Sequence, residues 1–262
     1  MSQADRVEVV ITTHNSERFL EATLISIDTQ DLEPDIRIAI DDVSADATCA
    51  LLKDHGFEVQ AATTTTRDSP TRIAQNFHQG LRMAQAAGAE LVILGDHDDV
   101  WHVDRIRRQV DRLHADPQIA MLASDGFLID EHGAAVPGTI RSTFPVPANF
   151  DSLLLHKRLA YAARHSIATG GASALRPALM PDWSVPPGWL HDRWWSLATL
   201  RADRFRLDPN AVIDYRVSGD QQVGLDSGDQ DSPGRWLRSK ARTLGTTAKR
   251  VRDASGLVRG SL

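Results

Sequence analysis

The fold is decided by residues 7–28, which read VEVVITTHNSERFLEATLISID. Residues 7–12 form an apolar run that is typical of a strand covered on both faces. Leu20, Leu24 and Ile27 then recur at the spacing of one helix face. A strand that leads directly into a helix is one β-α unit, so this stretch predicts the start of a parallel sheet.

The same alternation continues through the first 115 residues. Residues 36–40 predict a second strand, and residues 44–46 offer caps for the helix that follows it. Apolar spacing predicts further helices around residues 73–84 and 103–115, with another buried strand at residues 90–94. We therefore expect an α/β fold with a mostly parallel central sheet flanked by helices.

The second half of the chain is less regular. Secondary structure is poorly determined over residues 119–164. A Trp-rich segment at residues 183–195 leads into a predicted helix, and residues 205–207 and 212–215 predict two short strands. Residues 226–233 are rich in Asp, Ser and Gly, which predicts a linker.

Composition excludes several classes of protein. The formal net charge of −6 argues against a nucleic-acid partner for the chain as a whole, because such binding depends on phosphate neutralisation. The single cysteine, Cys49, excludes an internal disulfide and a multi-cysteine zinc site. The sequence shows neither a membrane-spanning apolar run nor a secretory signal, so we expect a soluble cytoplasmic protein.

Positive charge is concentrated at the C-terminal end. Five apolar residues after Pro233 fall on one helical stripe, which predicts either an amphipathic helix at the inner face of a membrane or a solvated helix packed on the domain. The apolar stripe consists of Leu237, Ala241, Leu244, Ala248 and Val251, and the basic residues are Arg235, Arg238, Lys240, Arg242, Lys249, Arg250, Arg252 and Arg259.

Acidic residues cluster where predicted strands end. Asp41 and Asp42 close the second strand, and residues 96–99, which read DHDD, close the strand at residues 90–94. Ligands of open parallel sheets bind outside these carboxyl ends. Carboxylates gathered there must be protonated, be paired with bases, or hold a cation such as Mg²⁺ or Mn²⁺. The alternative is that these acids only cap the following helices.

At this point the sequence resembles family-two glycosyltransferases with the GT-A fold, most closely the bacterial rhamnosyltransferase-like branch. The resemblance rests on seven short motifs in the family's order, and it covers roughly the first 220 residues. They are ITTHNSERFL at 11–20, DDVSADAT at 41–48, QNF at 75–77, GDHDDVW at 95–101, ATGGAS at 168–173, HDRWW at 191–195 and YRVSG at 215–219.

The resemblance implies roles for the donor side of the site. Thr12, His14 and Asp42 are expected around the nucleotide base, where Asp42 accepts from the base imide and His14 stacks on the ring. Asn15 and Asn76 are expected to contribute to the same nucleotide-sugar site. The resemblance assigns Asp96 to the ribose and the cation, and Asp98 to the cation that bridges the diphosphate. Arg67 and Arg72 are candidates for the diphosphate, although neither matches a family position firmly.

The resemblance also implies an acceptor side. Asp192 matches the general base of inverting members, which removes the proton of the acceptor hydroxyl. Gly170, Gly171 and Trp194 are expected to bind the acceptor. Each has a structural alternative: a helix cap for Asp192, a tight turn for the glycines, and the core for the tryptophan.

Two residues depart from the branch pattern. Ser218 stands where the branch usually has a histidine that serves as a further metal ligand, and a serine hydroxyl is a weaker ligand. His97 stands where the branch has glutamine. By strand alternation His97 should point away from the metal and should not replace the missing histidine.

The resemblance divides the chain into a GT-A domain over residues 1–225 and a linker with a basic helical tail over residues 226–262. The domain has a nucleotide-sugar-binding half up to about residue 115 and an acceptor half from about residue 116. The implied donor is a dTDP- or UDP-sugar, with dTDP-rhamnose favoured by the branch. The expected acceptor is a glycan, a lipid-linked molecule or a small molecule in envelope glycan or glycoconjugate synthesis. A sugar nucleotidyltransferase and a sugar-nucleotide binder without transfer activity remain the alternatives.

Overall fold

Strands and helices alternate through the first half of the structure, as the sequence predicts. The computed structural model describes residues 6–181 and 183–217. The described strands are β1 (Val7–Thr13), β2 (Ile36–Asp41), β3 (Glu58–Ala61), β4 (Leu91–Gly95), β5 (Val100–Trp101), β6 (Met121–Ile129), β7 (Ala135–Thr139), β8 (Ser173–Leu175) and β9 (Phe205–Arg216). The described α-helices are α1 (Glu17–Asp28), α2 (Thr48–Asp54), α3 (Ser69–Ala87), α4 (Arg105–Ala115), α5 (Ile140–Thr143), α6 (Leu155–Ala162) and α7 (His191–Arg201).

All of these strands belong to one sheet. Its order is β3-β2-β1-β4-β8-β6-β9-β5, and β7 pairs with β6 outside this path. The longest pairings are parallel, namely β1 with β2, β1 with β4, and β6 with β9. The short strand β8 runs antiparallel to both β4 and β6 and joins the two parallel parts. The expected α/β class with a mostly parallel sheet is therefore confirmed.

Each face of the sheet has its own hydrophobic core. Val10, Val92 and Leu94 belong to the core that packs under α3, α6 and α7. Val9 and Ile11 belong to the core on the opposite face, under α1, α2 and α4. Successive residues of β1 thus serve opposite cores, which explains why residues 7–12 read as a nearly continuous apolar run.

Local sequence signals set the ends of the longest helix, α3. Asp68 precedes it and accepts a hydrogen bond from the backbone N–H of Thr71, and Pro70 occupies the first turn, where no hydrogen-bond donor is needed. The helix ends at Gly88, whose φ of 90° is a left-handed conformation that glycine adopts without strain. These signals fix where α3 starts, and its first turns form a wall of the cleft described below.

Several predicted elements differ in detail from the structure. The sequence pattern did not predict β3, a short strand at the sheet edge with mostly exposed residues. The strand predicted at residues 90–94 is therefore the fourth in the chain, β4. The two short strands predicted after residue 204 are one strand, β9, which continues through Pro209 by shifting its register against β6.

The expected division of the domain near residue 115 stays a prediction. The predicted linker and basic tail lie outside the described residues, as does Ser218. Among the residues that the structure describes, no helix combines the length and apolarity needed to cross a bilayer.

Candidate active site

A cleft of about 470 Å³ opens at the carboxyl ends of β1, β2 and β4. The strand register brings these ends together, because Thr13 pairs with Asp41 and Ile11 pairs with Gly95. Helices α3 and α7 and the end of β9 contribute to the remaining walls. The cleft is lined by most of the predicted site residues: Thr12, His14, Asn15, Asp42, Asn76, Asp96, Asp98, Gly170 and Asp192.

The structure distinguishes the two adjacent acids at the end of β2. Asp41 is buried and accepts hydrogen bonds from the Thr13 hydroxyl at 2.9 Å, the Ser44 hydroxyl at 2.6 Å and the Ser44 backbone N–H at 2.9 Å. Burial raises the pKa of Asp41, but these hydrogen bonds outweigh burial and leave the pKa below its usual range. Asp41 therefore stabilises the loop, and Asp42 is the acid that faces the cleft.

Asp42 forms an ion pair with an arginine from α3. The Arg72 Nε lies 2.8 Å from Asp42 Oδ2, and both residues line the cleft. Arg72, one of the two arginines that the sequence could not place, thus lies beside the acid expected at the nucleotide base.

His14 and Asn15 are fixed by the loops around them. The His14 Nδ1 lies 2.5 Å from the backbone carbonyl oxygen of Asp42. The side-chain nitrogen of Asn15, Nδ2, lies 3.3 Å from His14 Nε2. A proton on Nδ1 satisfies both contacts, because Nε2 then accepts from the amide. Asn15 also accepts from the Ala45 backbone N–H, and its φ of 47° is left-handed, which asparagine tolerates. The His14 ring is thus held at the cleft in one orientation.

The segment after β4 carries three aspartates, of which Asp98 and Asp99 are buried and Asp96 is partly buried. Burial, followed by the charges of Asp98 and Asp192, raises the pKa of Asp96 to about 7. Burial and the charges of Asp98 and Asp96 raise the pKa of Asp99 well above its usual range. The Asp99 Oδ2 atom is buried without a hydrogen-bond partner among the described residues. Neighbouring negative charges thus raise the proton affinity of Asp96 and Asp99, so this part of the cleft favours added positive charge.

Two arginines hold this segment. The Arg216 backbone N–H donates to Asp99 Oδ1 at 3.0 Å, and its Nε donates to the Asp98 carbonyl oxygen at 2.9 Å. Arg105 is fully buried, stacks 3.7 Å from the centre of the Trp101 ring and donates to the Leu94 carbonyl oxygen. Burial lowers the pKa of Arg105 to about 9, while the charges of Asp99 and Asp96 oppose that effect. These arginines therefore fix the acidic loop, residues 96–99, and partly neutralise its negative charge.

A divalent cation fits this donor set when a second ligand shares it. Carboxylate oxygens are the ligands that Mg²⁺ and Mn²⁺ prefer, and Asp96 and Asp98 both line the cleft. Within residues 6–181 and 183–217, however, no three His, Cys, Asp or Glu side chains are placed to hold a metal ion by themselves. The geometry suits a cation held by one or two carboxylates together with phosphate oxygens and water.

Asp192 lies across the cleft, in the first turn of α7. Its Oδ2 accepts from the Gly170 backbone N–H at 3.2 Å, and its Oδ1 accepts from the Arg193 backbone N–H at 2.7 Å. Burial raises the pKa of Asp192 to about 6, although both hydrogen bonds and the Arg193 charge lower it. A carboxylate with a pKa near neutrality, held in a cleft by backbone groups, is suited to general base catalysis.

The two glycines are required by contacts within the protein. A Cβ atom on Gly170 would lie 2.4 Å from His191 Nε2, and a Cβ on Gly171 would lie 2.6 Å from Asp96 Oδ2 and 2.7 Å from Asp99 Oδ2. Gly170 lines the cleft, whereas Gly171 lies behind the acidic loop. Close packing of the loop thus favours glycine at both positions, and their contact with an acceptor stays a prediction.

The structure does not bring Trp194 to the cleft. Trp194 is buried in the core under α7 and contacts Trp189 edge-on, with 5.2 Å between ring centres. Only the first residues of α7, His191 and Asp192, line the cleft, whereas Trp194 lies one turn further along the helix and packs in the core. Trp194 is therefore not part of the site that we propose.

The structure removes the strand argument for His97 but not its conclusion, because no three His, Cys, Asp or Glu side chains within the described residues are placed to hold a metal ion. Strand β4 ends at Gly95, so strand alternation does not apply to the residues that follow it. His97 lines the cleft between Asp96 and Asp98.

Sequence reasoning missed other cleft residues, among them Tyr215 and Phe19. Burial and the surrounding carboxylates raise the pKa of Tyr215, so its hydroxyl keeps its proton. The Phe19 ring lies between two guanidinium groups, 4.6 Å from Arg18 and 4.7 Å from Arg216. Both aromatic residues belong to motifs quoted above, so the motifs could have indicated that these residues lie at the site.

Comparison with known proteins identifies the family. Residues 8–159, more than half of the chain, match Glycosyl transferase family 2. The chain belongs to this family. This family 2 glycosyltransferase is also similar to solved structures of low sequence identity, which support its fold.

One such structure is glucosyl-3-phosphoglycerate synthase from Mycobacterium tuberculosis in complex with Mn²⁺, UDP and glucosyl-3-phosphoglycerate. The TM-score is 0.60 at 18% identity, over 94% of this chain and 80% of that one. Another is residues 1–349 of TarS from S. aureus in complex with UDP, with a TM-score of 0.57 at 19% identity, over 81% of this chain and 61% of that one. The expected GT-A fold is thus confirmed, whereas the rhamnosyltransferase-like branch stays a prediction.

Proposed function

We propose that this chain transfers a sugar from a nucleoside-diphosphate donor to an acceptor hydroxyl, with inversion at the anomeric carbon. The observation that carries the proposal is the convergence of Asp42, Asp96, Asp98 and Asp192 on one cleft. Similar structures that contain UDP, in one case with Mn²⁺, support the donor class and the cation.

The cleft residues divide the reaction between them. Asp42 and His14 bind the nucleotide base, and Asp192 takes the proton of the acceptor hydroxyl as its oxygen attacks the anomeric carbon. The bond between that carbon and the diphosphate oxygen breaks, and the bonding electrons leave with the diphosphate. Asp96 and Asp98 would hold a divalent cation, which supplies charge stabilisation for the departing diphosphate. Because attack is direct, one base suffices and no carboxylate nucleophile is needed.

Metal-dependent nucleotide binding tests the donor half of the proposal. Asp98→Ala should abolish the extra thermal stabilisation that Mn²⁺ gives to UDP or dTDP binding, while the protein without nucleotide melts as before. Asp111→Ala is the matched control, since Asp111 is an exposed acid of α4 outside the cleft. Equal nucleotide binding with and without Mn²⁺ in the wild-type protein would contradict a role for the cation.

The family resemblance suggests a specific donor and a class of acceptor. The branch pattern supports dTDP-rhamnose and an envelope glycan or lipid-linked acceptor. A panel of UDP- and dTDP-sugars, ranked by thermal shift with Mn²⁺ and then by donor turnover, tests this choice. Binding without turnover of any donor would instead indicate a sugar-nucleotide binder, and formation of a nucleotide sugar from a sugar phosphate would indicate a nucleotidyltransferase.

The basic residues after Pro233 support a peripheral contact with the inner face of the membrane. Deleting residues 234–262 should leave turnover of a soluble acceptor largely unchanged and lower binding to anionic vesicles, where each basic residue contributes about 1 kcal/mol. Vesicle binding that survives the deletion would remove this role.

A further inference from the structure

Two buried polar side chains at the cleft have no hydrogen-bond partner for some of their polar atoms. Asn76 of α3 and His191 of α7 are 3% and 4% exposed, and both line the cleft. Asn76 Oδ1 and both ring nitrogens of His191 are buried without a partner among the described residues. We call Asn76 and His191 the floor pair. Polar atoms in such surroundings nearly always have partners, so these three call for an explanation.

The floor pair is neutral and offers both kinds of hydrogen bond. Burial lowers the pKa of His191 to about 3, so the imidazole is uncharged at neutral pH. A neutral imidazole has one nitrogen that donates and one that accepts, and an amide oxygen accepts. A hydroxyl group both donates and accepts, so it can satisfy an imidazole nitrogen and an amide oxygen, whereas a phosphate or carboxylate brings acceptors only. The floor pair therefore matches an uncharged, hydroxylated ligand.

Neighbouring aromatic rings hold His191 in place. Its ring stacks on Phe77 with 3.9 Å between ring centres and makes an edge-to-face contact with Trp195, with 5.1 Å between ring centres. Phenylalanine at this position would stack on Phe77 without burying unpaired nitrogens, so packing alone does not account for a histidine. The orientation is set by packing, which leaves the nitrogens available for a ligand.

The position of the floor pair indicates which part of the ligand it meets. Arg72 lies beside Asp42 at the nucleotide end, and Asn76 follows one helical turn, about 6 Å, further along α3. His191 directly precedes Asp192, and Gly170 contacts both residues. Asn76 thus lies one helical turn from the nucleotide end of the cleft, and His191 lies next to the proposed general base, near which the anomeric carbon must be presented.

We propose that Asn76 and His191 form a subsite that hydrogen-bonds a hydroxyl group of the transferred sugar and helps to select that sugar. The proposal rests on the proposed function and specifies the donor side of the same cleft. The three unpaired atoms are buried, and Gly170 lies against His191 Nε2, so a hydroxyl must displace neighbouring atoms to reach them.

Calorimetric titration with Mn²⁺ present separates sugar contacts from nucleotide contacts. The ligands are UDP and dTDP, each compared with UDP-glucose, UDP-N-acetylglucosamine and dTDP-rhamnose. His191→Phe and Asn76→Leu should bind the nucleoside diphosphate as the wild type does, and should bind the preferred nucleotide sugar about tenfold more weakly, as expected for one lost hydrogen bond. His191→Gln should recover part of the affinity, since its amide can donate and accept.

His165→Phe is the matched control. His165 also stacks on an aromatic ring, that of Tyr161 at 4.4 Å, and it lies outside the cleft, so binding of every ligand should stay unchanged. Equal weakening of nucleotide and nucleotide-sugar binding, or no change in either, would overturn the proposal. If His191→Phe does not fold, Asn76→Leu and His191→Gln carry the same comparison. A wild-type protein that binds none of the nucleotides would instead contradict the proposed function.

Discussion

Asp192 is held by two backbone N–H groups, and this geometry predicts what an amide would do in its place. Asp192→Asn keeps an oxygen that can accept one of these hydrogen bonds, and asparagine is compatible with the first turn of a helix. It cannot take a proton. We expect thermal stability and donor affinity to be kept, while transfer falls by roughly two to four orders of magnitude, the usual contribution of a positioned base. Single-turnover assays measure the loss, and the product should be the inverted anomer.

A large drop in melting temperature with near-normal turnover per folded molecule would show that Asp192 is structural. The sequence would then suggest His191 as the first substitute. The structure argues against that choice, because burial lowers the pKa of His191 to about 3 and leaves it a weak base.

The pH profile gives a second test at this residue. Burial raises the pKa of Asp192 from 3.8 to about 6, and only the ionised carboxylate can act as a base. We expect kcat/KM to fall about tenfold per pH unit below pH 6 and to level off above it. The pH profile of Asp192→Asn should not show this fall in kcat/KM below pH 6. A wild-type rate that stays constant down to pH 4.5 would contradict the assignment.

Motifs could identify candidate residues but could not say which way each one faces. The sequence placed Asp41 and Asp42 side by side, and only the hydrogen bonds from Thr13 and Ser44 show that Asp41 is structural. Trp194 was expected at the acceptor because of its motif, whereas the structure packs it in the core beside Trp189.

At the scale of elements, the loops that precede α1 and α2 cap each other. The Asp46 carboxylate accepts from the Glu17 backbone N–H at the start of α1, and Glu17 Oε2 accepts from the Ala47 backbone N–H before α2. Ser44 and Thr48 accept backbone N–H groups of the first loop, those of Asn15 and Ser16. The two helix starts are therefore stabilised jointly.

Asp46→Ala should weaken both helix starts at once. One Asp46 oxygen accepts from Glu17 and the other from the Thr48 backbone N–H at 3.1 Å, and loss of a cap typically costs about 1 kcal/mol of unfolding free energy. Urea unfolding measures the change, and hydrogen exchange should rise at the starts of both α1 and α2. Asp46→Asn, which keeps one acceptor, should lose less. Faster exchange in α2 alone would contradict the joint cap.

Element prediction succeeded where the apolar pattern was strong and local. β1, β2, β4 and the helices that follow them are buried on a regular period, so their existence was predictable. β3 has mostly exposed residues at a sheet edge, and β6 pairs with strands that lie far along the chain, so neither shows in a local window. Long-range pairing also joins the two predicted pieces of β9 across Pro209.

For the whole molecule, Glu8 is a buried acid at the centre of the fold. It lies in β1 between β2 and β4, its side chain is inaccessible to solvent, and Arg6 Nε is 3.4 Å away. Burial nevertheless raises its pKa from 4.5 to about 7, with Arg6 opposing the rise. The folded protein thus binds a proton that the unfolded chain releases between pH 4.5 and 7. Stability falls as the pH rises through this window and stays lower above it.

Glu8→Gln removes this penalty. We expect the unfolding free energy to rise by about 1–3 kcal/mol at pH 8 and to change little at pH 4.5, where Glu8 is protonated in the folded state. Urea unfolding at both pH values measures the difference. Glu21→Gln, at an exposed position of α1, should show no comparable dependence on pH. A stabilisation of Glu8→Gln that is equal at both pH values would contradict a buried ionised carboxylate.

The hydrogen bonds of Arg216 also bear on how the protein is made. Its backbone N–H and the Asp99 carboxylate that accepts from it are 117 residues apart in the chain. During synthesis on the ribosome, the strands and helices of the first half emerge well before this arginine does, and they can pack without it. The hydrogen bonds from Arg216 to residues 98 and 99 form only when β9 has left the exit tunnel and joined β6. A nascent chain, or one that stops early within β9, would therefore have a largely formed first half in which Asp98 and Asp99 still lack their hydrogen bonds from Arg216.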